Sequence, residues 1–140
     1  MKMNLLPRAL AGLLCAVVWG ATPALAERLT VTGEVIDSWC YLTEIMYPLG
    51  TAHHQCAIWC AAGGIPVGIL DDQGKVYIIL AFDDDQSSVA SPAVLDIQSH
   101  RVTVEGDAFE RDGMAYLVVD RLIADQGIVN LSHDDYGIQP

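Results

Sequence analysis

Residues 66–123 read PVGILDDQGK VYIILAFDDD QSSVASPAVL DIQSHRVTVE GDAFERDGMA YLVVDRLI. The segment holds two pairs of apolar, β-branched runs, each folded about a turn sequence. Pro66–Leu70 and Lys75–Phe82 flank Asp71-Asp72-Gln73-Gly74, and Arg101–Phe109 and Met114–Ile123 flank Asp112-Gly113. Asp-Gly between alternating runs is a strong hairpin signal, because a two-residue turn needs positive φ at both positions. Between the hairpins, Ser91-Pro92 reads as a helix start, with Ser as cap and Pro at the first helical position. That helix is expected to run to about Gln98.

Working outward, Leu29–Asp37 alternates apolar and polar residues and predicts a half-buried first strand. Gly33 within it predicts a bulge or a tight bend. Residues 38–64 break that rhythm, and Thr51–Ala62 has the makings of a helix. Alanines at 52, 57, 61 and 62 favour it, Thr51 can cap it, and Gly63-Gly64 can end it. The expected order is strand, helical insert (about 38–64), two strands, short helix, two strands. This is a mainly β chain with the order of a five-stranded OB-like barrel, and an open five-stranded sheet is the alternative. Residues 130–140 are polar and expected to be loosely ordered.

The N-terminus predicts an export signal. Lys2 and Arg8 precede an apolar run, Ala9–Trp19, and Ala24-Leu25-Ala26 supplies small residues for cleavage before Glu27. A membrane anchor is the competing reading, but spanning a bilayer takes ~20 apolar residues. Gly12-Leu13-Leu14 before Cys15 is a poor lipoprotein signal. Cleavage would leave 27–140 as one domain in the periplasm, with no membrane span. Its formal charge would fall from −11 to −13 as Lys2 and Arg8 are removed. So acidic a chain excludes a sequence-independent grip on nucleic acid, which needs basic groups to displace counterions. Cys40, Cys56 and Cys60 would remain, an odd number in an oxidising compartment.

Two stretches carry a resemblance: G-E-V-I-D-S-W-C-Y-L from Gly33, and H-x-x-C-A-x-x-C-A-x-x-G-x-P-V-G-I-L from His53. With G-K-V-Y and the Val102–Val119 hairpin, the chain resembles a group of small exported bacterial OB-fold-like proteins of uncharacterised function. The resemblance implies that the cysteine insert belongs to the group's design. It implies no activity.

His53, Cys56 and Cys60 are spaced i, i+3, i+7, so on a helix they fall within about 60° of one another. His54 would point about 100° away. Cys40 can join them if the insert folds back, giving three thiols and an imidazole within 21 residues. Such a set suits zinc or copper, and soft thiolates in an oxidising compartment favour copper. The C-x-x-x-C spacing with a nearby His resembles that of exported copper-handling and electron-transfer proteins. His54 and Met46 are spare ligands. Asp37 can orient His53, and Trp39 and Trp59, with Tyr41, are expected to pack the insert on the barrel or shield a metal.

Two other readings stay open. Cys40 can bridge to Cys56 or Cys60, a staple worth ~3 kcal/mol, in a module that binds another exported protein. Alternatively, Cys56 and Cys60 can cycle as a redox pair, although thioredoxin-like motifs place two residues between the cysteines. Asp83-Asp84-Asp85 lacks the spacing of a calcium loop and reads as solvated. His100 and His133 read as surface or strand-end residues. Nothing in the chain demands an enzyme.

Overall fold

The computed structural model describes residues 25–83, 85 and 90–133. The segment read as an export signal lies outside them except for Leu25 and Ala26, as do Asp84 and residues 86–89 and 134–140. Five strands close into a barrel: β1 (Glu27–Asp37), β2 (Val67–Asp71), β3 (Val76–Phe82), β4 (Arg101–Arg111) and β5 (Met114–Asp125). They are ordered β1-β2-β3-β5-β4, with β4 returning to β1. All pairings are antiparallel except β3 with β5. This is the expected barrel, not the open sheet. Closure leaves no long unpaired edge on a chain this short.

One strand serves both ends of the closure. The first part of β1, Glu27–Glu34, pairs with β4, and the last, Gly33–Asp37, pairs with β2. Gly33 lies in both ladders, and a Cβ there would sit 2.2 Å from the Leu70 carbonyl oxygen. Only glycine fits so close a backbone approach. The second hairpin turns at Asp112 and Gly113, both with positive φ (54° and 81°), as the sequence predicts.

Strand alternation builds the core. In β4, Val102, Val104, Gly106 and Ala108 point inward between more exposed neighbours. Val31, Val35, Ile69, Ile79, Phe82, Leu117 and Val119 complete the interior. The helix α3 (Pro92–Asp96) adds Val94 to that core. Ser91 caps it as expected, its hydroxyl accepting from the Val94 amide. Outside, Arg28, Lys75, Arg101 and Arg121 are each held by carboxylates. These four basic groups are thus engaged locally, and the surface keeps its acidic excess. No helix among the described residues is long and apolar enough to cross a membrane.

The insert between β1 and β2 forms two helices, α1 (Ser38–Thr43) and α2 (Gly50–Ala62). α1 is not evident in the sequence, being six residues long and without periodicity. It exists because Asp37 caps it, with Oδ1 accepting from the Cys40 amide at 2.8 Å.

Candidate metal centre

β1 delivers Asp37 at its last residue, α1 delivers Cys40 one turn later, and α2 delivers His53, Cys56 and Cys60. His53, Ala57 and Ala61 form the buried stripe of α2, at i, i+4, i+8. Cys56 and Cys60 flank that stripe and stay partly exposed. The small alanines let the helix lie close to its neighbours.

The N-terminus of α2 is held from afar. Thr51 is not its cap: the capping position is Leu49, which has no side-chain acceptor. The first amides are met instead by Glu34 Oε1 on β1 (Gly50 N, 2.7 Å), the Asn130 carbonyl (Thr51 N, 3.0 Å) and Ser132 Oγ (Ala52 N, 2.9 Å). The Ser132 hydroxyl donates in turn to the Leu49 carbonyl, and the Thr51 hydroxyl accepts from the His133 amide. Gly50 has φ +65°, and a Cβ there would meet the Asn130 carbonyl at 2.3 Å, so this junction requires glycine. Residues 130–133 are therefore not the loose tail expected from their polarity. They anchor the helix that carries Cys56 and Cys60. Burial pushes the Glu34 carboxyl above its ordinary range, although the Gly50 amide and Asn130 oppose the shift.

The thiols of Cys40, Cys56 and Cys60 all lie within 4.8 Å of one another. A second set, Asp37, Cys40 and His53, meets the same limit and shares Cys40. The four residues expected to form one Cys3His cluster thus form a three-thiol set with a buried carboxylate–imidazole pair at its Cys40 end. Asp37 Oδ2 lies 2.5 Å from His53 Nε2, and both side chains are sealed from water (0% and 1% exposed). Asp37 thus contacts His53 with one carboxylate oxygen and caps α1 with the other.

All three cysteines are free thiols, so the expected alternative, a Cys40 staple, is not formed. Burial, with Asp37 and the other two thiols adding to it, pushes Cys40 up to about 12. Cys60 is raised by burial first, then by Asp37 and Cys56. Cys40 and Cys60 are therefore held as protonated thiols at neutral pH, and a metal entering must displace those protons.

The remaining predicted residues are placed elsewhere. His54 turns away, its Nδ1 hydrogen-bonded to the Gln98 carbonyl at 2.8 Å and its ring stacked on His100. Met46 sits in the turn after α1, 46% exposed. Trp39 and Trp59 are 54% and 70% exposed, so they are not the packing residues the sequence led one to expect. Alanines and His53 fill that role on α2. Compared with protein-family models, with curated proteins and with solved structures, the chain finds no match.

Proposed function

We propose that this chain is an exported protein that handles copper, binding one Cu(I) ion through Cys40, Cys56 and Cys60. The observation that carries the reading is the mutual approach of three free thiols from two separate helices. A three-sulfur set is soft, and soft thiolates select Cu(I). The set includes only one adjoining imidazole, whereas copper electron-transfer sites use two His with one Cys, so metal passage is better supported than electron transfer. Zinc would need a fourth donor, for which His53 is the candidate. Cys60, pushed up by burial, speaks against the Cys56–Cys60 redox-pair reading, since catalytic cysteines have lowered pKa values.

Export to the periplasm rests on the N-terminal signal pattern, and kinship with the small exported OB-fold-like group rests on the quoted motifs. The insert also carries exposed apolar side chains: Trp39, Leu42, Ile45, Tyr47 and Trp59. They support a partner protein that receives or delivers the metal, because exposed aromatics beside a site favour docking.

The test is native mass spectrometry of the protein isolated from its export compartment without added metal or chelator, compared with the denatured, alkylated mass. Bound copper with three alkylatable cysteines is expected. A metal-free mass with one alkylatable cysteine would replace this reading with a disulfide-stapled binding module.

A further inference from the structure

We infer that Asp37, Cys40 and His53 form a second, harder metal position, which shares the Cys40 sulfur with the three-thiol set and takes a divalent ion such as Zn(II). The proposal extends the Cu(I) reading of the thiols, with Cys40 common to both positions. One carboxylate oxygen of Asp37, the Cys40 sulfur and one ring nitrogen of His53 all lie within 4.8 Å of one another. The five residues do not merge into one set, because neither Asp37 nor His53 lies within that limit of all three thiols. Zinc accepts carboxylate oxygen, imidazole nitrogen and thiolate sulfur, whereas three sulfurs select Cu(I). A thiolate sulfur has lone pairs enough to bond two ions, so both positions can be filled together.

The donors are close to the spacing an ion needs. Oxygen and nitrogen on one tetrahedral zinc stand about 3.3 Å apart, so the 2.5 Å contact of Asp37 Oδ2 with His53 Nε2 must open by about 0.8 Å. The proton held between them leaves that line, and Cys40 sheds its own. Asp37 Oδ1 stays on the Cys40 amide at 2.8 Å, which leaves Oδ2 as the single ligand oxygen. All three side chains are buried, and buried charge is met by pairing or by a metal. Of the five residues only Cys56 and Cys60 are partly exposed, so an ion reaches Cys40 from the thiol side.

The test uses the full chain, reduced and anaerobic, loaded with Cu(I) and then titrated with Co(II) as the divalent probe. Native mass spectrometry should show both metals together on the wild type. X-ray absorption at the cobalt edge, which needs no substitution, should show a single sulfur neighbour beside nitrogen and oxygen. His53→Gln should lose this sulfur-bound cobalt. It should still take up Cu(I), because losing an outer partner weakens a site about 10–100-fold and does not abolish it. Cys56→Ser should do the converse, keeping the sulfur-bound cobalt while Cu(I) binding falls. Circular dichroism checks the fold of both variants. Cobalt with no sulfur or with three, exchange of one metal for the other, or sulfur-bound cobalt that survives His53→Gln would each overturn the proposal. Failure of the Cu(I) reading would show separately, as a chain that takes cobalt on one sulfur and binds no copper, with the Asp37–Cys40–His53 position upheld.

Discussion

Asp37 and His53 meet at 2.5 Å in a space closed to water, and their contact joins the last residue of β1 to the first member of the buried His53–Ala57–Ala61 stripe of α2. Sixteen residues separate them in sequence. The carboxylate serves two helices, since its other oxygen caps α1 at the Cys40 amide.

Replacing Asp37 therefore disturbs both cysteine-bearing helices. Asp37→Asn keeps an acceptor for the Cys40 amide but weakens the hold on His53. Copper affinity should fall 10–100-fold by competition with a Cu(I) chelator. Asp37→Ala should also lose about 1–3 kcal/mol of stability in urea unfolding, because a buried imidazole nitrogen loses its partner. Unchanged copper affinity in both variants would mean that His53 has no part in the metal site.

The three thiols should act as one set. Cys40→Ser, Cys56→Ser and Cys60→Ser should each lower Cu(I) affinity by more than the 10–100-fold typical of losing an outer partner, since each removes a donor. If one variant binds as the wild type does, that cysteine is not a ligand.

The distant cap should be measurable by itself. Ser132→Ala removes the acceptor for the Ala52 amide and the donor to the Leu49 carbonyl. A cost of about 1 kcal/mol is expected in chemical denaturation, as for the loss of a local N-cap. Copper affinity should fall with it if the helix terminus holds the thiols in place.

Glu34 sets a pH dependence of stability. Its carboxyl is raised above the usual value of 4.5, so the folded state holds the proton more tightly than the unfolded chain does. The contribution is full below 4.5 and is lost as pH rises through the folded-state value. Glu34→Gln should remove this fall. The difference between wild type and variant in unfolding free energy should change across the weakly acidic range and be flat above it. A difference flat from pH 4 upward would show that the carboxyl is not raised.

The barrel was legible because its signals are local. Asp112-Gly113 fixes one hairpin, Ser91-Pro92 starts one helix, and alternation along Arg101–Phe109 assigns one inner face. The convergence of Cys40 on Cys56 and Cys60 followed from helical spacing and a fold-back of the insert. What stayed hidden depends on contacts across long stretches of chain. Thr51 has the chemistry of a cap, yet Glu34 and Ser132 meet the Gly50 and Ala52 amides from 16 and 80 positions away in the chain. The stacking of His54, read as a spare ligand, on His100, read as a single strand-end residue, stayed hidden because only the closed barrel brings the residues before β4 against α2. Trp39 and Trp59 were assigned to packing by residue type, while small alanines make the contact.

The anchoring of α2 by residues 130–132 also bears on the order of assembly. A chain is made from its N-terminus, and the helix bearing Cys56 and Cys60 reaches its full set of partners only after Ser132 has been added. A chain stopped short of that point has all three thiols but lacks the bonds that fix their helix. Under the proposed function, the thiol cluster would thus be ready for metal only after Ser132 has been made, and a shorter chain would be a poor trap for it.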